Sequence, residues 1–151
     1  MERLFTSHSA EETIAIGKQF AHDELLIGNL VVLRGELGAG KTQFAKGIAH
    51  AFGIQEDEIS SPTYALANEY PASFLDGAAF TLYHLDCYRF ETPEELLELG
   101  VEEYLYPKNG ICIVEWPQRI EQYLPAVRIE VALKTLSISE RSITISSAPV
   151  V

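Results

Sequence analysis

The segment GELGAGKT, residues 35–42, constrains the fold more than any other stretch of this chain. It has the spacing G-x-x-x-x-G-K-T of a phosphate-binding P-loop. A short, nearly all-apolar run (28–35) precedes it, and a segment with helical spacing (41–53) follows it and ends at Gly53. Because a P-loop requires a strand before it and a helix after it, the sequence predicts this strand–loop–helix unit.

Further predicted strands and helices alternate along the chain. One predicted helix follows the Ser9–Glu12 capping pattern. Another covers 92–100, where Thr92 is the cap, Pro93 takes the first position and Gly100 ends the helix. Strands are predicted at 63–70, 78–86, 110–116, 126–136 and 141–147.

This alternation predicts an α/β fold, with a mostly parallel sheet, helices on both sides and an antiparallel C-terminal strand pair. The strands at 63–70 and 78–86 are expected to be joined by a loop that carries Pro71 and Gly77. We expect a single P-loop NTPase domain over residues 1–151.

Composition limits the partners and the location of the protein. The net charge of −11 disfavours direct contact with nucleic acid, so a role in an RNA pathway would run through protein partners. No apolar run is long enough for a membrane span and no signal peptide follows Met1, which predicts a cytoplasmic protein. Cys87 and Cys112 lack metal-ligand spacing and are expected to be buried, reduced thiols.

The P-loop motif assigns chemical roles to its glycines, its lysine and its threonine. Its glycines let backbone N–H groups turn toward a phosphate, and the start of the following helix adds a positive dipole end. Lys41 would reach the β- and γ-phosphates, and the Thr42 hydroxyl would take a Mg²⁺ ligand position. We treat Lys41 as an exposed loop side chain whose removal changes stability little; the alternative interpretation of the segment is a glycine-rich turn without a ligand.

Two acids end predicted strands at the edge of the sheet where the P-loop lies. Asp86 ends the run FTLYHLD, and Glu115 ends ICIVE. Ligands of open α/β sheets bind at the carboxyl ends of the strands. One acid would support Mg²⁺, and the other would support the metal or polarise the attacking water. The alternative is that both acids serve solubility alone.

Four further residues have two interpretations each. Thr63, within SSPTYALANEY (60–70), would contact the γ-phosphate or Mg²⁺ in a switch segment, or else belongs to a plain turn. His84 shares a strand face with Asp86 and is expected to be a hydrogen-bonded core histidine rather than a metal ligand. Arg89 would reach the phosphates or Asp86, or form a surface ion pair. Trp116 would cap the core or contribute to a partner surface.

Three classes of function fit these motifs. The absence of an Asn-Lys-x-Asp guanine-reading motif favours ATP over GTP. The leading hypothesis is an ATPase subunit that works on a protein assembly. The first alternative is a small-molecule kinase, although the arginines are scattered and form no Arg-rich lid segment. The second is a nucleotide-gated binding module whose hydrolysis is incidental.

The ordered motifs GELGAGKT, SPTY, HLDCYR and VEWP resemble those of the TsaE family, small bacterial P-loop ATPases of tRNA threonylcarbamoyladenosine biosynthesis. The resemblance runs from the first helix to the last strands. It implies binding of ATP and Mg²⁺, slow hydrolysis by the chain alone, and action with a TsaD–TsaB pair. In that assembly TsaD transfers a threonylcarbamoyl group to a tRNA adenosine beside the anticodon, and this chain would touch tRNA only indirectly.

The resemblance also implies roles for individual residues. Lys41, Thr63, Asp86 and Glu115 would be catalytic, and Thr42, Asp86 and Glu115 would hold the metal. The nucleotide would contact Glu36, Leu37, Gly38, Ala39, Gly40, Lys41, Thr42, Gln43 and Trp116, with Glu115 and Trp116 beside the γ-phosphate. The loop PASFLDGAA before HLDCYR is longer than the family pattern suggests.

Overall fold

A computed structural model describes residues 2–55, 66–88 and 90–147 of the chain. The strands in these ranges are β1 (Glu2–Ser7), β2 (Leu30–Arg34), β3 (Ala67–Ser73), β4 (Ala79–Asp86), β5 (Gly110–Glu115), β6 (Ile129–Thr135) and β7 (Arg141–Ser147). The helices are α1 (Ala10–Glu24), α2 (Lys41–Ala51), α3 (Pro93–Glu98) and α4 (Val101–Leu105), with a 3₁₀ helix at Pro117–Tyr123.

The strands form one seven-stranded sheet in the order β1-β7-β6-β2-β5-β4-β3. The four central strands β6, β2, β5 and β4 are parallel to one another. The pairs β3–β4, β6–β7 and β1–β7 are antiparallel. The predicted α/β fold with a parallel centre and an antiparallel C-terminal pair is therefore confirmed.

Helices cover both faces of the sheet, as predicted. Alternate side chains of β2 point to opposite faces, so that Val31 and Leu33 join one core and Leu30 and Val32 join the other. The first core is closed by α1 and α2, and the second by α3, α4 and the 3₁₀ helix. Burial on both faces explains why the central strands are almost entirely apolar.

The predicted helix caps are present. The Ser9 hydroxyl accepts a hydrogen bond from the Glu12 N–H at 3.0 Å, at the start of α1. The Thr92 hydroxyl accepts one from the Glu95 N–H at 3.4 Å, and Pro93 opens α3. Gly100 is left-handed and ends that helix, but the chain enters α4 directly afterwards, which the sequence pattern did not predict.

The predicted boundaries around Pro71 are wrong. β3 extends to Ser73 and therefore contains Pro71, while residues 63–65 lie outside the described residues. A proline is tolerated here because β3 is an edge strand that pairs only with β4. The β3–β4 connection shrinks to 74–78 and is closed by a bond from the Phe74 N–H to the Ala78 carbonyl, at 2.9 Å. Residues 71–73 and Ala79 of the segment PASFLDGAA thus belong to strands, and only 74–78 form the loop.

Both cysteines are buried and unpaired, as predicted. Burial raises the pKa of the Cys87 thiol to about 12, so it stays protonated at neutral pH. None of the described helices is long and apolar enough to cross a membrane.

Helices α1 and α2 pack with their backbones in contact at two glycines. A Cβ on Gly47 would lie 2.1 Å from the Ile14 carbonyl oxygen, and one on Gly17 would lie 2.5 Å from the Phe44 carbonyl oxygen. Neither position has room for a methyl group, because the opposing atoms are backbone. These glycines therefore set the distance between the two helices.

We expect Gly47→Ala to lower the free energy of unfolding by at least about 2 kcal/mol, because the methyl group forces α1 and α2 apart. The better helix propensity of alanine returns only about 1 kcal/mol. Urea denaturation measures the difference, with Gln19→Ala on the exposed face of α1 as the control, expected to stay within about 0.5 kcal/mol. A Gly47→Ala protein as stable as the control would contradict the close approach.

Candidate functional site

The P-loop connects β2 to α2 through glycines in conformations that other residues rarely adopt. The φ angles are 152° at Gly35, 82° at Gly38 and 104° at Gly40. A Cβ at Gly35 would also lie 2.6 Å from the Leu133 carbonyl oxygen on β6. Gly40 has no side chain with which to cap α2, so the first amides of that helix remain open to a ligand. The positive φ angles that the glycines of a P-loop allow are therefore present in this loop.

Lys41 is buried, which corrects the expectation of an exposed loop lysine. Only 6% of it is exposed, and its Nζ lies 3.5 Å from the centroid of the Trp116 ring. Burial lowers the pKa of Lys41, and the nearby charges of Glu115 and Asp86 oppose that shift. The residue pattern of the P-loop could not reveal the burial of Lys41, because the Trp116 ring that covers it directly follows β5.

Asp86 and Glu115 lie side by side, as their strand-end positions predict. They are register partners at the carboxyl ends of β4 and β5. The Asp86 Oδ1 accepts a hydrogen bond from the Tyr88 N–H at 2.9 Å. Glu115 is only 4% exposed, and its side chain lines the same cleft as Lys41 and Thr42. Two carboxylates therefore face the P-loop.

His84 is a hydrogen-bonded core histidine, as predicted, and its partner is Glu115. The His84 Nε2 lies 2.5 Å from Glu115 Oε2. The sequence pattern places His84 on the face of Asp86 but does not reveal its contact with Glu115. The contact could be predicted only from two facts together, the alternation of side chains along β4 and the pairing of β4 with β5. The second fact is not visible in the sequence of β4.

Trp116 has the left-handed backbone angles φ 56° and ψ 55°, and it is the one non-glycine residue with positive φ in ranges 2–55, 66–88 and 90–147. Such conformations persist where surrounding contacts enforce them, often at functional sites. Its ring lies 4.8 Å from that of Tyr88, centroid to centroid, and beneath Lys41. Trp116 also packs against the second core, so it links the core to the cleft.

The cleft has a volume of about 550 Å³, and two of its walls were not predicted. One wall is the start of α1, including Ser9 and Thr13. The other is the β6–β7 hairpin, whose Arg141 donates a hydrogen bond to the Gly38 carbonyl at 3.3 Å. Arg141 belongs to no motif and comes near the P-loop through the strand order, which places β6 beside β2 and β7 beside β6. The start of α1 comes near the loop because α1 packs directly on α2.

The remaining predicted residues are distributed as follows. Leu37 and Thr42 are exposed, Gln43 is half-buried, and Glu36 accepts a hydrogen bond at its carbonyl from the Ala39 N–H at 3.0 Å. Thr63 and Arg89 lie outside the described residues.

No group of three or more His, Cys, Asp or Glu side chains is gathered for a metal in the part of the chain that the structure describes. The predicted metal ligands include a hydroxyl, because Thr42 joins Asp86 and Glu115. All three residues line the cleft. Oxygen ligands from one hydroxyl and two carboxylates are of the type that Mg²⁺ takes, with substrate phosphates and water completing the shell.

Comparison with known proteins gives a consistent result. A family model described as "Threonylcarbamoyl adenosine biosynthesis protein TsaE" matches residues 7–143. The chain is 39% identical over 140 residues to the tRNA threonylcarbamoyladenosine biosynthesis protein TsaE of Treponema pallidum (strain Nichols), covering 93% of this chain and 97% of that protein. The protein of the same name from Bacillus subtilis (strain 168) is 39% identical over 140 residues, covering 91% of this chain and 80% of the relative.

A solved structure shows the same architecture. The crystal structure of Bacillus subtilis YdiB matches with a TM-score of 0.75 and 34% sequence identity, over 99% of this chain and 87% of that one. The family match includes the P-loop, both strand-end acids and the hairpin that borders the cleft. On these grounds the chain belongs to the TsaE family of threonylcarbamoyl adenosine biosynthesis proteins.

Proposed function

We propose that this protein is a P-loop ATPase that supports threonylcarbamoyladenosine modification of tRNA. The observation that carries the proposal is the pairing of Asp86 with Glu115 at the strand ends, opposite the P-loop and Lys41 in one cleft. Phosphoryl transfer needs a phosphate cradle, a cation and a carboxylate near the reacting group. The pathway comes from the family, whose relatives bear the name of that biosynthesis.

The residues present fit a nucleotide with its metal. The glycine conformations of the loop and the uncapped start of α2 suit the phosphates. Thr42, Asp86 and Glu115 would hold Mg²⁺, which when bound offsets negative charge on the phosphates. The cleft volume of about 550 Å³ falls within the range of small-molecule sites.

The protein's own groups would then perform distinct tasks. Lys41 would leave the Trp116 ring and place its ammonium against the β- and γ-phosphates. A carboxylate, Glu115 or Asp86, would orient the attacking water and accept its proton as the water oxygen bonds to the γ-phosphorus. The bond from the γ-phosphorus to the oxygen that bridges it to the β-phosphate would break in the same step, so that ADP leaves with that oxygen and inorganic phosphate is released. Backbone N–H groups of the loop would stabilise the negative charge on the phosphate oxygens.

We further propose a cytoplasmic location and TsaD and TsaB as partners, with tRNA contacted only through them. The net charge of −11 opposes binding to a polyanion. Two arginines are also engaged within the chain: Arg34 bonds to Glu121 and Glu130, and Arg141 bonds to the Gly38 carbonyl. These arginines do not form a basic surface for tRNA.

The proposal is tested by Mg²⁺-dependent ATP hydrolysis of the purified protein, measured alone and with TsaD and TsaB added. We expect slow turnover alone, a rise on mixing, and repeated rounds of tRNA modification only when this protein is present. The matched control is Asp86→Asn, which should bind ATP without supporting repeated rounds. Turnover that TsaD and TsaB leave unchanged would contradict the subunit role, and phosphate transfer to a small acceptor would establish the kinase alternative.

A further inference from the structure

We infer that His84 is a positioning residue that holds the Glu115 carboxylate in its working orientation. The inference rests on the proposed function, because it gives Glu115 its part in ATP hydrolysis. His84 itself would contact neither the nucleotide nor the metal. It would act by fixing one oxygen of Glu115, so that the other remains available to the cleft.

The strand register brings these two side chains together. His84 pairs with Ile113 and Asp86 pairs with Glu115, so His84 and Glu115 are diagonal neighbours on β4 and β5. Their side chains project from the same face of the sheet, which also carries the P-loop helix α2. The 2.5 Å separation of Nε2 and Oε2 is shorter than the usual range of about 2.7–3.2 Å for an N–H···O hydrogen bond, so the two atoms are in direct contact.

Burial makes this contact persistent. His84 is 1% exposed and Glu115 is 4% exposed, so water cannot readily replace either partner. A glutamate has three side-chain torsions, and a strand end does not fix them. The bond to His84 restrains Glu115 Oε2 and leaves Oε1 as the oxygen that can meet a ligand or a water molecule.

The direction of the hydrogen bond follows from the donor inventory. An ionised carboxylate only accepts, so the hydrogen lies on Nε2 of His84. The buried Nδ1 has no hydrogen-bond partner within the described part of the chain. Burying a polar atom without a partner is unfavourable. An apolar side chain would avoid that cost, so the bond to Glu115 is the contact that accounts for a histidine here.

The two acids of the cleft are held differently. Asp86 is restrained by the main-chain N–H of Tyr88, which no substitution at residue 88 other than proline removes. Glu115 is restrained by a side chain, and a substitution can therefore release it. This difference makes the contribution of His84 measurable without changing either acid.

The test compares His84→Gln with His84→Asn. The amide nitrogen of glutamine is as many bonds from the backbone as Nε2 of histidine, whereas that of asparagine corresponds to Nδ1. Glutamine should therefore restore the bond to Glu115, and asparagine should not. We expect His84→Gln to keep kcat for ATP hydrolysis within about threefold and His84→Asn to lose about 10- to 100-fold.

The change should appear in kcat and not in KM. Nucleotide affinity and KM for ATP should stay within about threefold in both variants, because the P-loop is untouched. A general structural role would instead lower the thermal denaturation temperature of both variants without separating their kcat values. Equal kcat for folded Gln and Asn variants, or a change confined to KM, would overturn the inference.

A second measurement needs no change at residue 84. Proton–nitrogen NMR correlation of histidine rings should show the hydrogen of His84 on Nε2, and Glu115→Gln should shift that signal strongly, while Glu98→Gln should not. An unshifted His84 signal would overturn the inference. Failure of the proposed function looks different, because then the wild-type protein would hydrolyse no ATP at all.

Discussion

Glu115→Gln is expected to slow Mg²⁺-dependent ATP hydrolysis by about 10²–10⁴-fold, the range of a lost general base, while ATP remains bound. The amide has the shape of the carboxylate, and its oxygen can still accept the hydrogen bond from His84. It cannot accept a proton from water and is a weaker metal ligand. The fold should therefore persist while the chemical step fails.

Single-turnover hydrolysis and ATP titration measure the two effects separately for this variant. Glu98→Gln removes an exposed carboxylate from α3 and is the matched control, with no expected change in either quantity. Asp86→Asn should resemble Glu115→Gln, because the two acids are register partners at the same cleft. Wild-type turnover in the Glu115→Gln protein would contradict the assignment of this site.

Lys41→Met is expected to weaken ATP binding by about 10- to 100-fold, because it removes a charged hydrogen-bond donor to the phosphates. Methionine retains an apolar stem of similar length against the Trp116 ring. Isothermal titration measures the affinity, and tRNA modification should fail in parallel. Lys46→Met, on the same helix α2, controls for the loss of one positive charge. Affinity equal to that of the wild type would show that Lys41 does not serve the phosphates.

The stability of the Lys41→Met protein should stay within about 1 kcal/mol of the wild type. The cation–π contact with Trp116 is lost, at a cost of about 0.5–2 kcal/mol. Against this, the buried ammonium no longer suffers the desolvation that lowers the pKa of Lys41. The P-loop motif also predicted a small change in stability, but on the wrong premise that the Lys41 side chain is exposed. Thermal denaturation decides the size of the effect.

Features encoded by neighbouring residues were predictable from the sequence. The P-loop conformation follows from its glycines, and the starts of α1 and α3 follow from Ser9 and Thr92, whose hydroxyls accept from the backbone three residues on. The pairing of Asp86 with Glu115 was also predictable, because parallel strands end at one edge of a sheet. Each of these requires knowledge of only one element or of one general rule.

Features that depend on the order of the strands were not predictable. Pro71 suggested a loop, and only the edge position of β3 makes a proline acceptable inside a strand. β1 is an exposed-edge strand that forms by pairing with β7 from the other end of the chain. The burial of Lys41 and the partner of His84 likewise depend on where β5 lies. No local pattern encodes such contacts.

The glycine contact between α1 and α2 gives the cleft a fixed side and an adjustable side. Gly17 and Gly47 hold the two helices at backbone distance, so we expect a displacement of the P-loop helix to carry the start of α1 with it. On the opposite side, the hairpin strand β6 also meets the loop at backbone distance, at Gly35. The start of β7 is joined to the loop by a side-chain contact, that of Arg141 with the Gly38 carbonyl. We therefore expect a ligand to adjust the cleft at the turn of the hairpin, because separating α1 from α2 would break a close-packed interface.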